Sequence, residues 1–75
     1  MKQAGENLYT EANGRRECCI CGKTFNPNNG YDRATHARLH VNSGQAREFA
    51  RKGRYDFELT ETGAAAANAR MEKAS

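Results

Sequence analysis

A small α+β domain is the fold the sequence predicts, and three observations carry it. Two cysteines and two histidines stand at a ligand-like spacing, Cys18-x2-Cys21 and His36-x3-His40, with fourteen residues between the pairs. Large apolar side chains are too scarce to build an ordinary core. Tyr55 to Thr60 alternates apolar and polar residues, the period of a half-buried strand. Four soft or borderline ligands so spaced describe a structural zinc site. The expected fold is therefore a zinc-stabilised β-hairpin plus helix around one zinc ion, extended by a second short helix and an added strand.

Composition explains why a metal is needed. Three Leu, one Ile, one Val and three Phe are the only large aliphatic and Phe residues among 75, and alanine supplies 12 positions. So small a share is usual for chains that do not fold unaided. Structural zinc contributes on the order of 10–16 kcal/mol near neutral pH, more than such a core. The metal-free chain is expected to be unfolded or loosely collapsed. Four protein ligands close a tetrahedral shell, so the zinc is expected to hold structure and no enzyme is expected. The His36-x3-His40 spacing also occurs in metalloproteases, but Ala37 stands where their Glu base is required. A thioredoxin-like role for Cys18 and Cys21 lacks the surrounding α/β pattern. Cys19 is expected as a free thiol on the outer face of the hairpin, with replacement of Cys18 as ligand the alternative.

Residues 1–14 are polar, with Leu8 and Tyr9 alone to bury, and read as a flexible arm. From Arg15 to Phe25 two short extended pieces flank the Cys turn, with Gly22 supplying a permissive backbone. Asn26 to Gly30 is dense in turn formers. A helix should start near Tyr31 or Asp32, with Asp32 as its cap, and run through His40 to about Val41. Asn42-Ser43-Gly44 ends it, so residues 15–44 form the metal-binding unit. Residues 45–60 form an extension packed on it. Within that extension, 45–52 reads as a short helix, because Ala46, Phe49 and Ala50 share one helical face. The strand from Tyr55 to Thr60 should then add to the hairpin edge, gathering Phe25, Leu39, Phe49, Tyr55, Phe57 and Leu59 beside the metal. Residues 61–75 are Ala-rich and helix-prone but too short to be helical alone, and read as a flexible tail.

With the ligands placed, Cys18-x2-Cys21-Gly22-Lys23-x-Phe25 followed by His36-x-Arg38-x-His40 resembles the Cys-Cys-His-His zinc finger family over about residues 15–45. Ser43-Gly44-Gln45 is similar to the short Gly-containing linker that often follows such fingers. The resemblance implies zinc ligation by Cys18, Cys21, His36 and His40, with Phe25 as the aromatic residue behind the metal. It also implies DNA reading from the helix N-terminus, at Asn29, Asp32 and Thr35 counted back from His36. Two differences stand out. The family usually has twelve residues between the pairs, so a longer loop should lead into the helix. The family also places a large aliphatic three residues before the first His, where this chain has Arg33.

Charge is concentrated around the site. Residues 15–54 hold nine Lys or Arg against Glu17, Asp32 and Glu48, while both flanks are slightly acidic and the whole chain carries +3. That distribution fits a polyanion. Arg15, Arg16, Lys23, Arg38, Arg47, Arg51, Lys52 and Arg54 are the expected phosphate contacts, with Arg47, Arg51 and Arg54 at the spacing of one helical face. Nucleic acid is the expected partner, DNA ahead of RNA, with transcription regulation the role that fits. The alternative is a zinc-stabilised protein-interaction module in which Phe49, Tyr55 and Phe57 meet a protein partner or a second copy. Three cysteines within four residues fit a reducing, intracellular and soluble setting, in cytoplasm or nucleus. No run reaches the roughly 20 apolar residues that span a bilayer, so no membrane association is expected.

Overall fold

The computed structural model describes residues 1–74. In chain order the elements are β1 (Tyr9–Ala12), β2 (Arg15–Cys18), β3 (Thr24–Phe25), α1 (Gly30–Asn42), β4 (Ala46–Arg51), β5 (Arg54–Leu59) and α2 (Glu61–Ala74). The strands make two antiparallel sheets, β1-β2-β3 and β4-β5. An α+β fold is thus present, with a different distribution of elements from the one expected.

The β2–β3 pair is the expected hairpin around the Cys turn, with Arg16 opposite Phe25 and Glu17 opposite Thr24. The polar stretch before it is not a free arm. Asn13 and Gly14 both take positive φ, 54° and 77°, and Ala12 pairs with Arg15 across them. This is the two-residue turn of type I′ that Asn-Gly favours, and it folds Tyr9–Ala12 back as a third strand. Further upstream, Leu59 N–H donates to Glu6 O at 2.7 Å and Leu8 N–H donates to Phe57 O at 3.1 Å. The segment therefore links β5 to β1, and Leu8 is fully buried at the junction.

Residues 45–52 do not form the expected second helix. A helix of eight residues gains little by itself, whereas the same residues as β4 pair along their whole length with β5, from Ala46 opposite Leu59 to Arg51 opposite Arg54. Lys52 and Gly53, at φ 49° and 76°, form the connecting turn. The strand expected near 55–60 is present as β5, but it pairs with β4 and not with the edge of the Cys hairpin.

Helix α1 is capped by Asn29, not Asp32. The Asn29 side chain accepts from Asp32 N–H at 3.2 Å and donates to the Asp32 carboxylate at 2.7 Å. The Ala-rich segment, expected as a flexible tail, is the helix α2. Thr60 Oγ1 accepts from Gly63 N–H at 3.2 Å and donates to Gly44 O at 2.6 Å, which starts α2 and ties it to the end of α1. Midway along it, Asn68 exchanges two hydrogen bonds with the Lys2 backbone, at 2.7 and 2.9 Å.

The core consists of Leu8, Cys18, Cys19, Ala37, Ala46, Phe57, Leu59, Ala64 and Ala67. Of the expected cluster only Phe57 and Leu59 belong to it. Leu39 and Tyr55 are 64% and 70% exposed, Phe49 is half-buried, and Phe25 is buried against aromatic neighbours outside this cluster. Small residues do the filling, because backbones approach closely. A Cβ on Gly63 would lie 1.7 Å from the Gln45 carbonyl oxygen. Gly63→Ala should therefore lower stability by about 1–3 kcal/mol or more, although alanine is the better helix former. Leu8→Ala should lose about 2–5 kcal/mol. Urea unfolding of the zinc-loaded protein checks both, and unchanged midpoints would contradict the packing described.

Candidate metal centre

The site is assembled from two elements. Cys18 ends β2 and Cys21 lies on the turn that follows. Cys18 N–H donates to Lys23 O at 2.9 Å and Gly22 N–H donates to Cys18 O at 2.8 Å, so the backbone curls and presents both sulfurs to one point. Gly22 completes the curl at φ +79°. A Cβ there would meet the Arg70 guanidinium of α2 at 2.4 Å, and Arg70 also reaches the Glu17 carboxylate at 3.4 Å. His36 and His40 come from α1, one turn apart, with ring centroids 4.9 Å from each other.

The ligand atoms of Cys18, Cys21, His36 and His40 all lie within 4.8 Å of one another. Cys21 Sγ is 3.2 Å from His36 Nε2 and Cys18 Sγ is 3.6 Å from His40 Nε2. A tetrahedron with metal–sulfur distances of about 2.3 Å and metal–nitrogen distances of about 2.0–2.1 Å has edges of roughly 3.3–3.8 Å. The donor set and its spacing are consistent with one bound metal ion of zinc's preferences. Comparison with known protein families, curated proteins and solved structures finds no match to this chain. The cluster itself thus carries the likeness to a Cys-Cys-His-His site.

Both imidazoles are held in the tautomer a metal requires. The Tyr9 hydroxyl donates to Arg33 O at 2.6 Å. A carbonyl only accepts, so the hydroxyl oxygen is left to accept from His36 Nδ1–H, 3.0 Å away. His40 Nδ1 stands 2.8 Å from Gln45 Oε1, also an acceptor. Protons on both Nδ1 atoms leave both Nε2 lone pairs facing the sulfurs, the arrangement that orients metal-bound histidines. Phe25 packs on the outer side, its ring 5.0 Å from His36 and 5.8 Å from Tyr9. Burial is the main force on the titrating groups. It pushes the Cys18 thiol up to about 11 and holds His36 below its ordinary value, so both are neutral near pH 7 without a cation.

Tyr9 and Gln45 were not foreseen as partners of the site, since one lay in the supposed arm and the other in the supposed second helix. Cys19 is not on the outer face as expected. It is 5% exposed and belongs to the core, where burial raises its thiol pKa, and it lies outside the ligand cluster.

The expected nucleic-acid contacts do not form one surface. Arg15, Lys23, Asn29, Asp32 and Thr35 line one open groove of about 550 Å³ beside His36, and Arg16, next to Arg15 on β2, is exposed outside it. Arg38 and Arg47 are paired, with Glu48 at 3.8 Å and with Glu58 respectively. Arg47, Arg51 and Arg54 share no helical face, because they belong to β4 and β5. Arg51, Lys52 and Arg54 cluster instead at the turn of that hairpin.

Because a metal must displace the Cys18 proton, zinc affinity should rise with pH between about 6 and 8, by at least about tenfold per unit, and fall on acidification. A competition titration with a chromogenic chelator reads this. Tyr9→Phe removes the acceptor of His36 Nδ1–H and should weaken zinc binding about 10–100-fold. An unchanged affinity in that variant would contradict the tautomer assignment.

Proposed function

We propose that the protein is a zinc-finger-like module in which zinc is structural, and that it binds nucleic acid, duplex DNA ahead of RNA, in transcription regulation. The observation that carries the reading is the closed cluster of Cys18, Cys21, His36 and His40, with both imidazoles fixed by Tyr9 and Gln45. Four ligands leave no position for a substrate, so we assign the metal no catalytic role. The partner assignment is supported by the groove beside the cluster. Arg15 and Lys23 supply positive charge there, and the 80% exposed Tyr31 and 64% exposed Leu39 supply apolar surface on the same wall. Phosphate attraction and contact with bases call for that combination.

The protein-interaction reading is less well supported. Phe57 is buried in the core. By the β4–β5 register Phe49 lies on the opposite face of the hairpin from Tyr55, which stands opposite Ala50. The three aromatics therefore do not make one patch. Among the described residues no helix is long and apolar enough to cross a membrane.

Amide NMR tests the proposal in two steps. One equivalent of zinc added to the metal-free chain should produce a dispersed spectrum, and chelation should collapse it. A short mixed-sequence duplex should then shift amides of the basic surface at low salt, with affinity falling steeply as salt rises. A spectrum indifferent to zinc would overturn the metal assignment, and peaks unmoved by DNA at low salt would overturn the nucleic-acid assignment.

A further inference from the structure

We propose that the β4–β5 hairpin, and not α1, is the element that enters the major groove of duplex DNA, with Arg51, Lys52 and Arg54 at its tip as the contacting cations. The inference rests on the nucleic-acid reading above and names the part of the molecule that executes it.

The first observation is charge placement. Arg51 and Arg54 stand directly opposite each other in the register, on either side of the Lys52-Gly53 turn. Like charges in that position oppose strand pairing. Of the six other arginines, Arg38, Arg47 and Arg70 have a carboxylate within 4 Å and Arg33 donates to the Asn26 and Pro27 carbonyls, while Arg15 and Arg16, like the hairpin cations, have no ion pair among the described residues. Among the described residues no carboxylate lies within ion-pair distance of Arg51, Lys52 or Arg54. Asp56 lines the same surface but stands outside ion-pair distance of all three, so the tip keeps an excess of positive charge that an external polyanion would offset.

The second observation is shape. The base of the hairpin is anchored by Ala46, Phe57 and Leu59 in the core, while residues 50–55 are all exposed. From Phe57 to the turn is three to four residues, or about 10–13 Å of ribbon at roughly 3.3 Å each. The major groove of B-DNA is about 8.5 Å deep and about 12 Å wide and admits a two-stranded ribbon. The type I′ turn keeps the tip narrow, with Lys52 at its apex. By contrast, the exposed face of α1 near its start is partly occupied. Asp32 is held by Asn29 at 2.7 Å, and its carboxylate would oppose phosphate.

The geometry makes a distinction between nucleic acids. The major groove of duplex RNA is deep and narrow, so a ribbon cannot enter it. The hairpin should select DNA over RNA of the same sequence.

The test is fluorescence anisotropy of the zinc-loaded full chain on a 20-bp mixed-sequence DNA duplex and the matching RNA duplex, from about 50 to 200 mM salt. Three proteins are compared: wild type, the hairpin variant Arg51→Ala/Lys52→Ala/Arg54→Ala, and the groove variant Arg15→Ala/Lys23→Ala. A zinc-dependent dispersed NMR spectrum first establishes that each variant is folded. The hairpin variant should bind DNA at least tenfold more weakly at low salt, with the slope of log K against log salt reduced by about 2–3. The groove variant should lose less, and wild type should prefer DNA to RNA. If wild type binds DNA and the hairpin variant binds equally well, the hairpin proposal fails while the nucleic-acid reading stands. Binding that needs the hairpin yet treats DNA and RNA alike would overturn groove entry. Wild type that binds neither duplex would overturn both readings.

Discussion

Two thiols and two imidazoles that face one another gain little from their own company. Cys18 holds its proton because burial pushes its thiol up to about 11, and His36 is kept neutral by the same burial. What remains between the groups is sulfur–nitrogen contact at 3.2 and 3.6 Å, weaker than ordinary hydrogen bonding. A bound dication would change the balance, since it would replace thiol protons and be held by Cys18, Cys21, His36 and His40 together. The convergence of Cys18, Cys21, His36 and His40 is therefore the constraint around which the remaining structure is organised. An ion held there would clamp the β2–β3 turn to α1, two elements that share few large apolar side chains.

The other elements support one side of that clamp or the other. β1 adds Tyr9, whose hydroxyl bridges His36 and the Arg33 carbonyl. The start of the β4 segment adds Gln45 beneath His40. Helix α2 lays Arg70 across Gly22 and pairs it with Glu17, which braces the Cys turn from behind. These contacts need close backbone approach, and the sequence permits it with Ala37, Ala46, Ala64 and Ala67 in the core and Gly63 against the Gln45 carbonyl. The few large apolar side chains are spent where they join elements, as Leu8 does between the two sheets.

What could be read in the sequence was whatever depends on ligand type and local capping. The convergence of Cys18, Cys21, His36 and His40, the Cys hairpin and the extent of α1 follow from spacing and from turn formers. The β1–β2 hairpin had a signal in Asn13-Gly14, but Tyr9–Ala12 lacks the apolar alternation that marks a strand, because only part of it packs inward. Ala46–Arg51 carries the helix period at Ala46, Phe49 and Ala50 and no strand alternation, and pairing with the Tyr55–Leu59 segment overrode it, a choice no local propensity contains. The helical character of the Ala-rich end was legible. Its docking was not, since alanine looks the same in sequence whether it fills a core or faces water, and only the contacts of Gly63 and Ala67 distinguish the two.

The two departures from the finger pattern turn out to be one arrangement. The longer loop at Asn26–Asn29 needs its carbonyls satisfied, and Arg33 Nη1 donates to Asn26 O and Pro27 O at 3.3 and 3.0 Å. An aliphatic residue at that position could not do so. Apolar surface beside His36 comes instead from Tyr9 of β1, whose ring packs against Phe25 and His36. Arg33 then offers its own carbonyl to the Tyr9 hydroxyl, which fixes the tautomer of His36. Arg33 thus joins the loop to the strand, its side chain donating to the loop carbonyls and its own carbonyl holding the Tyr9 hydroxyl that orients His36.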